Sequence, residues 1–484
     1  MRARVLTLTL ATALLGGAPP AVADRGDVLV RFKAAASPDD RAETRRAAKV
    51  RRKQGLPVAG LELTAPEPGT TAAQAAARLE RDPDVLYAEP DVPRRAFATF
   101  PSDELFSYQW GLHNVGQPVG GVAGADDADV DAPEAWDLAT GAPSVLVAVA
   151  DTGVDVAHPD LVRNVWRNPG EVAGNGADDD GNGFVDDVRG WDFVDGDATP
   201  QDEDGHGTHV AGTAGARGND GAGVAGAAWS PTLLPLRILG ADGNGSVSDA
   251  IRAYAYAGAA GARVVNLSLG GPSGSRAERD AIAARPGVLF VVAAGNDGAN
   301  NDATGSFPCN YDLPNVVCVA ASDQFDRLAD FSNYGAQTVD LAAPGVSIAA
   351  PYPGGQWALM DGTSMAAPIV SGVAALLAAR ERDATVAELR SALLEGVDAK
   401  LSLAGQTATG GRLNALGALR ALEPPPAEPD PREEEPAPSP SPSPEPSPSP
   451  SPSPSPSPSP SPEPSPSPSP SPEPPPSDPA APPA

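Results

Sequence analysis

Val145-Leu146-Val147-Ala148-Val149-Ala150-Asp151-Thr152-Gly153 is an apolar run that stops on a carboxylate followed by a glycine turn. A strand with one wet face alternates apolar and polar residues, whereas this run is apolar at every position, as suits a strand buried on both faces. Comparable runs recur at Leu233 to Leu239, Arg263 to Leu269, Val288 to Ala294 and Val316 to Ala320. Helical stretches at His206 to Ala216, Val247 to Ala260 and Ala277 to Ala284 lie between them. The alternation predicts an α/β fold, a doubly wound and mostly parallel sheet with helices on both faces. Functional groups in such folds gather beyond the carboxyl ends of strands, where Asp151 and Asn296 fall.

Outward from that body the composition changes twice. Of the 484 residues, those from Ala96 onward include 18 basic and 51 acidic side chains, a net charge of −33. Such a balance disfavours nucleic acid and anionic membranes as partners and favours cations. Residues 1–23 read as a signal peptide: Arg2 and Arg4, an apolar run from Val5 to Leu15, then Ala21-Val22-Ala23. That run is shorter than the roughly 20 residues a membrane span needs, and no membrane span is expected elsewhere. Residues 24–99 form a separate unit, with strands at Val28 to Phe32, Leu61 to Leu63 and Val85 to Tyr87 and helices at Pro38 to Lys53 and Thr71 to Arg81. That order suggests a small ferredoxin-like α+β sandwich. Residues 100–422 are the main body, and 423–484 are Ser-Pro repeats broken by Glu445, Glu463 and Glu473. The repeats hold almost nothing to bury, so a disordered, polyproline-like stalk is expected, with cell-wall contact as one role.

Three polar residues carry the chemistry. Ser364 stands in Gly362-Thr363-Ser364-Met365-Ala366-Ala367-Pro368, at the start of an apolar helix, and His206 in Gly205-His206-Gly207-Thr208-His209. A serine hydroxyl attacks only if a base takes its proton, and an imidazole does this best when a carboxylate such as Asp151 fixes its tautomer. Cys309 and Cys318, the two cysteines, sit close together and in an exported protein read as a disulfide.

The blocks Ala150-Asp151-Thr152-Gly153-Val154-Asp155, Gly205 to Thr213 and Gly362 to Pro368 resemble the three signature blocks of the subtilisin-like serine proteases, in that family's order. Ala293-Ala294-Gly295-Asn296 resembles its oxyanion segment, and residues 24–99 its inhibitory propeptide. The resemblance implies that Ser364 is the nucleophile, His206 the general base, Asp151 its orienting carboxylate and Asn296 an oxyanion donor. It implies an intramolecular inhibitor removed by self-cleavage between about Arg95 and Asp103. Ser268, Leu269 and Gly270 on one side and Ala293, Ala294 and Gly295 on the other would sandwich polypeptide substrates. Their small apolar walls suggest broad specificity with a large apolar side chain before the scissile bond, while Asp297 nearby leaves room for a basic one. His209 is a packing residue in the family, and a monomer is expected.

Three oxygen-rich sets suggest structural Ca²⁺. Asp192, Asp195, Asp197, Thr199 and Gln201 have a spacing similar to a calcium loop of thermitase-like members. Asp103, Asp160 and Asp220 resemble the family's strong site. Asp178, Asp180 and Asn182 begin like an EF-hand loop, with Arg189 where the bidentate Glu belongs, so this set reads either as a truncated calcium loop or as a solvated acidic turn. Two other readings remain at this stage, a proteolytically silent surface domain and a narrow processing enzyme.

Overall fold

The computed structural model describes residues 26–91 and 98–422, together with the backbone of Arg4–Leu6. Most of the segment expected to be a signal peptide, the stretch 92–97 expected to hold or border the self-cleavage site, and the Ser-Pro tail lie outside the described residues. Arg4–Leu6 pairs antiparallel with the strand Gln356–Met360.

In the body a nine-stranded sheet runs, from one edge to the other, 398–399, 411–412, 341–344, 316–322, 289–293, 264–267, 146–151, 232–237 and 191–192. Every neighbouring pair is parallel except the outermost 398–399 with 411–412. Alternate residues of each strand feed opposite layers. Val147 and Val149 join a core with the helices His206–Gly215 and Thr363–Arg380, whereas Leu146, Ala148 and Ala150 face Val247–Ala259. That period of two decides the site. Asp151 continues the odd-numbered face, and Asn266 and Ser268 continue the face of Val264, so all three point toward the two helices that carry His206 and Ser364.

Thr363–Arg380 is the one helix among the described residues long and apolar enough to cross a membrane, and it is buried at the centre of the core instead. Cys309 and Cys318 are joined in a disulfide that ties the loop before Val316–Ser322 to that strand.

Residues 28–90 fold as β-α-β-β-α-β with strand order 50–55, 61–66, 28–32, 85–90, all neighbours antiparallel, which is the ferredoxin-like sandwich. The helix expected over Pro38 to Lys53 is shorter. It ends at Ala48 because Lys49 takes a left-handed φ of 57°, and Val50–Gly55 forms an edge strand with five exposed residues. Arginine-rich and solvated, that strand lacks the alternation that would have marked it. The second helix starts after Thr71, which forms a capping box with Gln74.

Candidate active site

Asp151 ends its strand fully buried, and its Oδ1 accepts from Thr152 N–H at 2.8 Å and lies 2.6 Å from His206 Nδ1. The close approach depends on Gly207, where a Cβ would sit 2.0 Å from the Gly153 carbonyl and 3.2 Å from the Asp151 Cβ. Asp202, which the sequence reading missed, fixes the start of the His206 helix. Its Oδ1 accepts from Thr152 Oγ1 and Gly205 N–H, and its Oδ2 from Thr208 N–H and Oγ1. Burial alone lowers the His206 pKa, but the charge and hydrogen bond of Asp151, with Asp204 and Asp202, more than offset it, and the net shift is upward. His209 is unlike its neighbour. Burial pushes it down to about 4, and its neutral Nε2–H donates to the Ile348 carbonyl at 2.9 Å, a packing contact.

Ser364 stands in the first turn of its helix, 4% exposed, with its Oγ 3.3 Å from the Ser268 carbonyl. His206 and Ser364 line one cleft; among the described residues no hydrogen bond yet joins them, as is common before substrate binds. Pro368 sits inside this helix. Having no N–H, it leaves the Ser364 carbonyl without its helical partner, and Ser268 Oγ donates to that carbonyl at 2.8 Å. Asn266 Nδ2 donates to Ser268 Oγ, and Ser371 Oγ to Asn266 Oδ1, so a buried polar chain braces the nucleophile turn from beneath. Only the folded sheet and helix bring these three residues together.

Asn296 follows its strand, and Thr363 N–H and Oγ1 reach its Oδ1 at 2.9 and 3.0 Å. A backbone N–H can only donate, so the amide oxygen must face Thr363 and the NH₂ is left over. It lines the cleft with the start of the Ser364 helix, whose first N–H groups have no intrahelical acceptor. Two donors beside a serine and an oriented imidazole can stabilise the anion formed when a hydroxyl adds to a carbonyl.

The cleft measures about 1160 Å³, larger than most small-molecule sites and suited to a polymer. Ser268, Leu269, Gly270, Ala293 and Gly295 line it as expected, and so does Asp297. Ala294 is the exception. It is fully buried, with its carbonyl accepting from Asn301 and Asn333, because period two turns it away from the cleft.

The acidic sets differ in fit to a dication. Asp103 Oδ1 is buried without a partner, and burial raises Asp103 and Asp160 to about 6 with Asp220 close to both. Gly223 lets this set close, since a Cβ there would lie 2.1 Å from Asp160 Oδ2. An orphaned carboxylate oxygen in such a set fits Ca²⁺. In the EF-hand-like loop, the ligand atoms of Asp178 and Asp180 lie within 4.8 Å of one another and of Glu171, seven residues upstream, which the sequence reading missed. The side-chain oxygen of Asn182 turns instead to Phe184 N–H. In the third loop Arg237 stands where calcium was expected. Its guanidinium donates to Asp192, to Asp195 at 2.6 Å and to Glu203 at 2.8 Å, and Asp197 accepts from Thr199 N–H. A guanidinium thus already neutralises Asp192 and Asp195 through one oxygen each, while Arg237 does not touch Asp197, Thr199 or Gln201, the rest of the expected set.

Comparison with known proteins agrees with this geometry. The subtilase family matches residues 142–417, and the fervidolysin N-terminal prodomain matches residues 24–91. A thermophilic serine proteinase of Bacillus sp. (strain AK1) is 38% identical over 344 residues, 70% of this chain and 74% of its own. Thermitase of Thermoactinomyces vulgaris is 40% identical over 293 residues, 60% of this chain and 94% of its own. A solved protease structure from Pseudoalteromonas arctica superposes with a TM-score of 0.54 at 30% identity, covering 67% of this chain and 99% of that one.

Proposed function

The chain belongs to the subtilase family of serine endopeptidases, and on that premise we propose that it is a secreted, calcium-stabilised protease that frees itself from its own prodomain. Ser364 Oγ attacks the scissile carbonyl carbon while His206 Nε2 takes its proton. Asp151 holds the imidazole and stabilises its charged form. The oxyanion forms against Asn296 Nδ2 and the Ser364 N–H, at the positive end of the helix dipole. Collapse breaks the C–N bond, and His206 returns its proton to the leaving amine. A water, deprotonated by His206, then releases the acyl group and regenerates the serine. The observation that carries this reading is the 2.6 Å contact of His206 Nδ1 with Asp151, in the cleft that Ser364 and Asn296 also line.

The edges at 268–270 and 293–295 support pairing with an extended peptide, and the small walls between them support a large apolar side chain before the cut bond. The set Asp103, Asp160 and Asp220, and the loop with Glu171, Asp178 and Asp180, would hold Ca²⁺. The ion would supply rigidity there and no step of the reaction. Residues 24–99 would inhibit until cut, in keeping with the match to a prodomain. A serine-reactive phosphonate should label Ser364 in the mature enzyme and no residue in Ser364→Ala. Absence of labelling in an otherwise folded enzyme overturns the mechanism.

A further inference from the structure

The cleft wall beyond Leu269 carries a charged group that the chemistry above does not use. Glu278 lies in the first turn of the helix Arg276–Ala283, is 5% exposed, and lines the substrate cleft. Tyr254 donates to its Oε1 at 3.1 Å, and the Tyr311 hydroxyl is 2.8 Å from its Oε2. Tyr254 is one turn along its helix from Ala250, itself a cleft residue, so the carboxylate lies under that part of the wall. Burial, reinforced by Glu278, raises both phenols, Tyr311 to about 12 and Tyr254 well above the usual tyrosine value, so both stay protonated at neutral pH. Neutral donors orient a carboxylate without cancelling its charge. Among the described residues no Lys, Arg or His pairs with Glu278, and Arg276 and Arg279 on the same helix are exposed. The cleft is lined also by Asp242 and Asp297, and by no Lys or Arg. A buried, unneutralised carboxylate beside a binding groove gains most from a cation that the ligand brings.

The chain carries such a ligand. Ser268 touches the nucleophile turn, and the edge continues through Leu269 and Gly270 in the cleft that Glu278 also lines. With the acyl side of a substrate laid along this edge, its upstream residues would reach the Glu278 wall. The segment Arg94-Arg95-Ala96-Phe97 falls where self-cleavage is expected to begin, in a chain whose remainder from Ala96 has a net charge of −33. A cut after Phe97 puts a large apolar residue before the scissile bond and arginines third and fourth upstream. Side chains of an extended peptide alternate, so an adjacent pair presents one guanidinium to the wall in either register.

We propose that Glu278 forms a cation-accepting subsite on the acyl side of the cleft, which selects arginine or lysine three or four residues before the cut bond, with Arg94-Arg95 as its first occupant. The proposal rests on the endopeptidase reading above. The test measures kcat/KM of the mature enzyme on quenched peptides with Phe before the scissile bond and either Arg, citrulline, Ala or Glu at the third and fourth positions upstream. Citrulline matches arginine in shape without its charge. Arginine should exceed citrulline by about tenfold, chiefly through KM, and the excess should shrink with salt. In Glu278→Gln the ratio should fall to near one. Equal rates for arginine and citrulline in the unaltered enzyme overturn the proposal, and so does a preference that survives Glu278→Gln. If that variant fails to fold, the arginine-to-citrulline ratio of the unaltered enzyme decides alone. No cleavage of the Ala peptide sinks the endopeptidase reading instead. In the full-length precursor, Arg94→Ala with Arg95→Ala should slow self-processing about tenfold; an unchanged rate removes this segment as the occupant.

Discussion

The catalytic cleft and the acidic stretch from Asn175 to Asp204 both read as sites in the sequence, yet they spend their hydrogen bonds differently. In the stretch, carboxylates tie up their own backbone. Asp186 accepts from the N–H groups of Gly174, Asn175 and Gly176, and Asp178 from those of Gly181, Asn182 and Gly183. Buried Asp187 is shared among Asn168, Asn182 and Tyr256. In the cleft the same kind of bonding stops one atom short. Asn296 is held by its oxygen and keeps its NH₂ in the cleft, and Asp151 holds His206 by one nitrogen while the other stays available. A region that closes its bonds on itself makes shape, and one that leaves oriented donors unspent makes chemistry.

Breaking the cleft should therefore cost turnover, and breaking the stretch should cost stability. The largest effect is expected from Ser364→Ala, roughly a 10⁶-fold loss in kcat with an uncut precursor in a preparation free of other proteases. A correctly trimmed product would refute self-processing. Asp151→Asn should cost about 10⁴ in kcat, because an asparagine favours the wrong imidazole tautomer. Removing the amide in Asn296→Ala should cost roughly 10²–10³ in kcat with little change in KM, which steady-state kinetics on one neutral peptide resolves. Since the His206 pKa is raised and only its neutral form accepts the serine proton, activity should rise through an acid limb centred above 6.5 in a pH profile of kcat/KM. A limb centred below 6.5 contradicts the geometry. The smallest effect belongs to the stretch. Chelation should lower Tm by a few degrees, as a loss of about 1–2 kcal/mol does for a domain of this size, with the initial rate unchanged. Glu171→Ala should abolish part of the chelator's effect on Tm, and a full effect in that variant would detach Glu171 from the ion.

Where short-range pattern sets the outcome, the sequence was legible. The five apolar strand runs, the helices from His206 and Val247, and the cysteine pair all stand close to where the chain order placed them. The arginine-rich strand Val50–Gly55 was not legible, because an exposed edge strand needs no alternation and its pairing with Leu61–Pro66 is what makes it a strand. Ala294 was misplaced because a motif was taken whole where the pleat divides it into facing and hidden residues.

The sequence by itself determined the chemistry on offer: a serine at a helix start, a histidine before another helix, a carboxylate at a strand end, and the order in which they come. A motif of that kind is local, and the backbone it needs is set by neighbours within a few residues. Tertiary structure alone decided which groups meet. Asn266 and Ser371 are 105 residues apart and share one hydrogen bond, Arg237 reaches Asp195 across 42 residues, and Tyr254 and Tyr311 hold Glu278 from two separate elements. Such contacts follow from sheet register and from which layer each side chain enters, quantities that no window along the chain contains.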